Sequence, residues 1–190
     1  MPAIEIRPAI EEDILTITQF DHNYTTDHVW QMDRRSDDHY SSDIDSEEIQ
    51  LGAFFRKVRL PRMVKVEYPR NPTLLNEDWT IRSALLVAVL NGELVGYTSM
   101  LQNIALSTIG MTDLVVTPSV RRHGIGTALV LAALEWSGAH PHSRRLVLEM
   151  QPKNNPAIRL AQKMRFDFCG YHDHYYSNND ISLFFARWSL

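Results

Sequence analysis

One segment constrains what this chain can fold into more than any other: Val116 to Val130, V-T-P-S-V-R-R-H-G-I-G-T-A-L-V. A strand-like run, Met111 to Val116, meets a turn at Thr117-Pro118-Ser119. Two arginines follow, then Gly124-Ile125-Gly126, then helical spacing through Trp136. Strand, basic glycine loop and helix in that order leave a helix mouth with unpaired amides and a partial positive charge. Glycine lets that backbone approach a ligand closely, so the segment suits a phosphate. Glycines alone would serve an ordinary turn equally well. Arg121 and Arg122 beside them are the cations a diphosphate would want. Two commoner phosphate loops are excluded: the Walker lysine is absent, and the third Rossmann glycine would fall at Leu129.

A chain of 190 residues makes one domain, with or without an elaboration, and is large enough for a substantial core. Its 44% apolar and 22% charged residues are those of a soluble globular protein. The net charge of −4 argues against nucleic acid as a partner. It fits a cationic, amine-bearing substrate, and equally the ordinary acidic excess of a soluble surface. The single cysteine, Cys169, excludes an intrachain disulfide and points to a reducing, cytoplasmic compartment. Between Phe168 and Gly170 it reads as a buried, inert thiol. Ile4 to Arg7 is too short and charged for a signal peptide, and the apolar run Ala84–Leu90 stops at Asn91-Gly92, so no membrane partner is expected.

Periodicity predicts a strand at Ile4–Arg7 and a helix over Glu11–Phe20, spaced through Ile14, Ile17 and Phe20. Asp21 to Asp45 reads as loop, though it carries Tyr24, His28, Trp30, Met32 and Tyr40. A short helix is predicted to start at Ser46-Glu47-Glu48, an edge strand at Arg62–Tyr68, and a turn-rich connector over Pro69–Asp78. Ala84–Leu90, the Asn91-Gly92 turn and Leu94–Gln102 make a hairpin, followed by a strand at Thr108–Val116. A helix over Gly124–Gly138 would face inward through Ile125, Leu129, Ala132 and Trp136. A strand at Arg145–Met150, a helix capped at Asn155-Pro156, and strands at Phe166–Tyr171 and Asp180–Trp188 complete the chain. A meander feeding a β-α-β crossover implies a mixed sheet with helices on both faces.

The pattern V-x-P-x-x-[QR]-x-x-G-x-[GA] is met at Val116, Pro118, Arg121, Gly124 and Gly126. In this the chain resembles the GNAT superfamily of acetyl-CoA-dependent N-acetyltransferases. The resemblance implies an α/β fold with a mixed six- to seven-stranded sheet. It implies one domain over 1–190, with an acceptor-side insertion at about 21–79. It also implies acetyl-CoA as cosubstrate. Leu114, Val115 and Val116 would lend strand backbone to the pantetheine arm and the thioester carbonyl. Arg121, Arg122, His123, Gly124, Ile125, Gly126 and Thr127 would hold the pyrophosphate, and Asn154 would touch the cofactor arm. A second family pattern is met at Asn154, Ala157, Ile158, Leu160 and Phe166. Two positions depart from it: Arg165 replaces a glycine, and Ala161 replaces the tyrosine that serves as general acid to the departing thiolate.

Alanine cannot donate a proton. A thiol pKa near roughly 8.5 makes a bare thiolate a tolerable leaving group, so the loss need not abolish turnover. Tyr175 and Tyr176 are candidate catalytic substitutes or acceptor-site residues, or else aromatics on a hairpin loop. Glu149 interrupts an apolar strand. It is either a strand-end glutamate reaching solvent or an arginine, or the general base that deprotonates the amine. Thr25 to Met32 and the L-x-L-E-x-Q run are similar to streptothricin acetyltransferase-like members, which acetylate a small cationic antibiotic. Trp30 and Asp27, with Asp33, would then wall an acceptor pocket for a cation; otherwise Trp30 and Met32 cover a sheet edge. His172 and His174 share a strand face without a third ligand, so no metal is expected. Two competing readings are a non-catalytic acyl-CoA sensor, motivated by Ala161, and a protein N-terminal amine acetyltransferase. A homodimer is expected by analogy with relatives.

Overall fold

The computed structural model describes residues 4–33, 54–102, 107–141 and 143–188. The strands are β1 (Ile4–Pro8), β2 (Tyr24–Asp33), β3 (Phe54–Val66), β4 (Ala84–Leu90), β5 (Glu93–Gln102), β6 (Thr108–Val116), β7 (Arg145–Met150), β8 (Asp167–His172) and β9 (Ser182–Trp188). The helices are α1 (Glu11–Thr18), α2 (Leu75–Asp78), α3 (Ile125–Ala139) and α4 (Asn155–Lys163). Seven strands form one sheet in the order β1-β4-β5-β6-β7-β9-β8, and β2 and β3 form a separate antiparallel pair. In the large sheet only β6 and β7 run parallel. The chain between them carries α3, the crossover a parallel pair requires.

Alternation along the strands sends side chains to two cores. Leu85, Val87, Tyr97 and Val115 meet Ile14 and Ile17 of α1 and Leu75 of α2 on one face. Their neighbours Leu86 and Ala88 turn the other way, toward α3. Ile158 and Ala161 of α4, with Met164 at its C-terminal cap, join that second core with Leu146, Leu148 and Met150 of β7. The Asn91-Gly92 turn has positive φ at both residues, 53° and 83°, as a two-residue hairpin requires.

Several expectations are corrected. The segment read as loop from Asp21 contains β2, ten residues long, and β3 is longer than the edge strand read at Arg62–Tyr68. β3 carries arginines and lysines at mostly exposed positions, and β2 mixes polar and apolar residues at mostly half-buried ones, which weakens the apolar alternation that marks a strand. The inward face of α3 is Ile125, Leu129, Val130, Ala133 and Ser137, so Ala132 and Trp136 lie at its flank. The cap of α4 is Asn154, one residue earlier than read. Cys169 is exposed, not buried: β8 is an edge strand, and Cys169 Sγ donates to the Phe184 carbonyl at 3.4 Å. The helix expected at Ser46 lies outside the described residues.

Candidate active site

Two features of β6 open a cleft. Its register with β5 shifts between Ser99 and Met100, so Thr112 is the extra residue of a bulge. Its parallel ladder with β7 ends at Met111–Leu148. Beyond that point β6 and β7 diverge, and the β6 edge from Thr112 to Val116 has no β7 partner. A large cavity of about 1120 Å3 runs along this edge to the mouth of α3. A smaller chamber of about 60 Å3 lies inside the wedge, against Met111, Leu148 and Glu149.

The large cavity is lined by Leu114, Val115, Val116, Arg121, Arg122, Gly124, Ile125, Gly126, Thr127 and Asn154 among others. Gly124 takes a left-handed φ of 89°, and Arg122 one of 70°. No side chain caps α3; its first bond runs from Ala128 N–H to the Gly124 carbonyl. The earlier amides therefore lack helical partners where the positive dipole end meets the cavity. A Cβ on Gly124 would meet nothing within 4 Å, and one on Gly126 would lie 3.5 Å from Leu160 Cδ2. Gly124 is required by its own backbone angle, but no packing contact demands Gly126, so the open space beside the two suits a ligand. This geometry fits a diphosphate on backbone amides.

Two cations predicted for the loop are placed differently. Arg121 lines the cavity, but its Nε donates to the Val116 carbonyl at 2.7 Å. Its Nη2 donates to the Asp21 and Asn23 carbonyls at 3.1 and 2.8 Å. It staples the loop to the start of β2 instead of reaching for an anion. Burial pulls its pKa below the usual arginine value. His123 is exposed and does not line the cavity. Arg122 is exposed and lines it.

The inner chamber is built around a cation that sequence reasoning missed. Arg70 pairs with Glu149, lies 4.0 Å from Asp113 Oδ1, and donates to the Thr112 carbonyl at 2.8 Å. Its guanidinium sits 5.1 Å from the Tyr176 ring centroid. The Glu149 side chain is 1% exposed and that of Asp113 6%. Asp113 also accepts from Tyr68 Oη and, at 2.7 Å, from Thr112 Oγ1. Tyr175 Oη donates to Glu149 Oε2 at 2.7 Å. Burial opposes the Arg70 charge, yet its pKa moves up because Asp113 and the surrounding tyrosines favour the charged form. Burial pushes the Tyr68, Tyr175 and Tyr176 phenols upward, so they stay protonated donors. Of the two readings of Glu149, the geometry supplies the arginine partner, and Glu149 has a second donor in Tyr175.

Tyr176 lines the chamber; Tyr175 does not. Trp30 and Asp27 line neither cavity. Trp30 packs on the core beside α4 and donates through Nε1 to Asn155 Oδ1 at 3.3 Å, and Asp27 accepts from His28 at 2.8 Å. Asn154 lines both cavities while its side-chain oxygen accepts from Ala157 N–H at 3.1 Å. Asp113 carried a readable signal, a charge inside the apolar run Met111–Val116, of the kind that singled out Glu149. Arg70 and Tyr68 carried none, because the connector that brings them in is local coil. Among the described residues no group of three His, Cys, Asp or Glu could hold a metal, and no helix is long and apolar enough to cross a membrane.

The chain belongs to the acetyltransferase (GNAT) family, whose sequence profile matches residues 51–166. It is similar to a Streptothricin acetyltransferase of Streptomyces lavendulae, 28% identical over 172 residues, covering 87% of this chain and 82% of that protein. It is also similar to an N-alpha-acetyltransferase of Sulfurisphaera tokodaii, 30% identical over 114 residues, 55% of this chain and 68% of that one. The fold matches the crystal structure of Nourseothricin acetyltransferase with a TM-score of 0.77 at 24% identity, covering 99% of both chains. A candidate streptothricin acetyltransferase from Bacillus anthracis, solved in complex with acetyl coenzyme A, gives 0.73 at 14% identity, covering 98% of this chain and 99% of that one.

Proposed function

We propose that this protein transfers the acetyl group of acetyl-CoA to a primary amine of a small cationic molecule of streptothricin type, by direct transfer in a ternary complex. The observation that carries the reading is the charge pattern of the chamber. Two carboxylates, Asp113 and Glu149, converge on one guanidinium under an aromatic ring, at the inner end of a cavity that leads from the α3 mouth. That is a site built to hold a cation.

In this reading the Gly124–Thr127 amides and Arg122 hold the pyrophosphate, and the open edge of β6 at Leu114 and Val115 takes the pantetheine arm and the thioester carbonyl. The acceptor ammonium enters beside Glu149 and displaces the Arg70 guanidinium. Glu149, freed of Arg70 and held by Tyr175, takes the proton that makes the amine nucleophilic, directly or through water. Tyr176 walls the acceptor. The relatives bearing streptothricin and nourseothricin names support this substrate class.

The experiment is thiol release from acetyl-CoA across streptothricin, polyamines, aminoglycosides and peptide N-termini. Fast release with streptothricin and none with peptides is expected. Release with peptide N-termini alone would replace this reading with the one favoured by the Sulfurisphaera tokodaii relative. Calorimetric binding of acetyl-CoA with no release for any acceptor would make the protein a sensor.

A further inference from the structure

We propose that the Tyr24 hydroxyl holds the departing coenzyme A sulfur, at the junction of the two cavities, in the role that Ala161 cannot fill. The inference rests on the acetyl-transfer reading above. Six residues line both cavities: Tyr24, Tyr68, Leu114, Asn154, Ala157 and Leu160. A thioester that starts at the α3 mouth and presents its carbonyl to an amine in the chamber must place its sulfur at that junction. Leu114, Ala157 and Leu160 are hydrocarbon there, and Asn154 is held as the α4 cap through its side-chain oxygen. Besides the Asn154 amide nitrogen, which that cap fixes in place, two hydroxyls can donate there. That of Tyr68 is committed to the Asp113 carboxylate, a charge-assisted bond.

Tyr24 is free to change partners. Its hydroxyl donates to Gln151 Oε1 at 2.8 Å, a neutral amide, and a bond to a charged acceptor is roughly twice as strong. Gln151 is itself anchored through Nε2 to Asp180 Oδ2 at 2.6 Å, so the resting partner stays in place when Tyr24 turns to sulfur. Arg121 fixes the origin of that tyrosine, since it binds the carbonyls of Asp21 and Asn23 just before β2 begins. The loop that suits the diphosphate and the strand that carries Tyr24 are therefore one positioned unit.

The chemistry balances without a formal acid. The amine nitrogen attacks the thioester carbonyl, the C–N bond forms, and the C–S bond breaks with its electron pair going to sulfur. The nitrogen's proton leaves to Glu149 or water. The thiolate accepts a hydrogen bond from Tyr24 and takes its own proton from water on release. Burial holds the Tyr24 phenol above its ordinary range, so the proton stays on oxygen while a thiol with a pKa near roughly 8.5 leaves ionised.

The test needs no acceptor. Free coenzyme A is bound to the wild type and to Tyr24→Phe, its affinity is read by calorimetry, and the bound thiol is titrated by its ultraviolet thiolate absorbance. The thiol of the wild-type complex should be more acidic than that of Tyr24→Phe by roughly tenfold, the worth of one hydrogen bond to a charge. Tyr68→Phe should leave it unchanged. Replacing Tyr24 with 3-fluorotyrosine, which keeps the packing and strengthens the donor, should make the thiol more acidic still, and this holds as a test if Tyr24→Phe does not fold. Equal titration in wild type, Tyr24→Phe and the fluorotyrosine protein, or a shift only in Tyr68→Phe, overturns the proposal and leaves the acetyl-transfer reading intact. Failure of the folded wild type to bind coenzyme A overturns both.

Discussion

Arg70 stands between two carboxylates whose burial would be costly without it. Removing a buried charge's partner costs more than the pair contributes, because the carboxylate left behind loses both its cation and its water. Arg70→Met should therefore lower stability by about 2–3 kcal/mol, below the full buried-pair figure because the arginine side chain is 27% exposed. Urea denaturation measures it. Adding Glu149→Gln to Arg70→Met should recover part of the loss, and purely additive effects in that cycle would mean the two residues are not coupled. At this scale the sequence marked Glu149, because a charge interrupting Leu146–Met150 is conspicuous. It left Arg70 and Tyr24 unmarked. Their chemistry depends on neighbours 79 and 127 positions away, Glu149 and Gln151, and no local pattern encodes such a distance.

The element that matters most is the β6–α3 unit. Its strand, turn, glycines and helix were legible, since each is dictated by residues within a few positions of each other. The two glycines differ, however, in a way only φ angles show. Gly124 needs its left-handed φ of 89°, so Gly124→Ala should cost about 1–2 kcal/mol through backbone strain alone. Gly126 sits in the first turn of α3, and its added Cβ would make ordinary contact with Leu160. Gly126→Ala should fold at wild-type stability or better. Gly126→Glu should fold too, yet lose acetyl-CoA binding, because it sets a carboxylate in the helix mouth. Thermal melts and calorimetry together check this; micromolar binding retained by Gly126→Glu would remove the helix mouth from the site. The β2–β3 pair was the element least legible, since its residues satisfy each other across a separate sheet and show no clean apolar face.

Across the whole molecule, a buried neutral histidine and a buried, arginine-paired carboxylate make stability depend on acid. His22 is buried, hydrogen-bonded to Phe20 O and Tyr97 Oη, and burial lowers its pKa below the ordinary 6.5. The unfolded chain therefore binds a proton that the folded one refuses. Stability from this group is complete above 6.5 and is lost as pH falls below it. Asp13 behaves alike at lower pH. The Arg7 hydrogen bonds, 2.6 and 2.9 Å long, hold its carboxyl below 3.8, so its contribution persists above that value and fades as pH falls through the lowered one. A pH series of urea midpoints should show two acid steps. The first should vanish in His22→Gln, and a flat midpoint through the histidine range would contradict it.

The sequence by itself determined the order of elements outside the 21–79 segment, the mixed sheet with its β-α-β crossover, and the glycine loop that opens α3. Each of these rests on local periodicity and on backbone chemistry that a few adjacent residues settle. Only the tertiary structure decided what stands inside the wedge between β6 and β7. A bulge and an early end to one ladder set its width, a coil segment remote in the chain delivered Arg70 and Tyr68 to it, and the start of β2 delivered Tyr24. Packing at a distance chooses such partners, because a buried charge takes whichever opposite charge the fold brings near, wherever that residue lies in the chain.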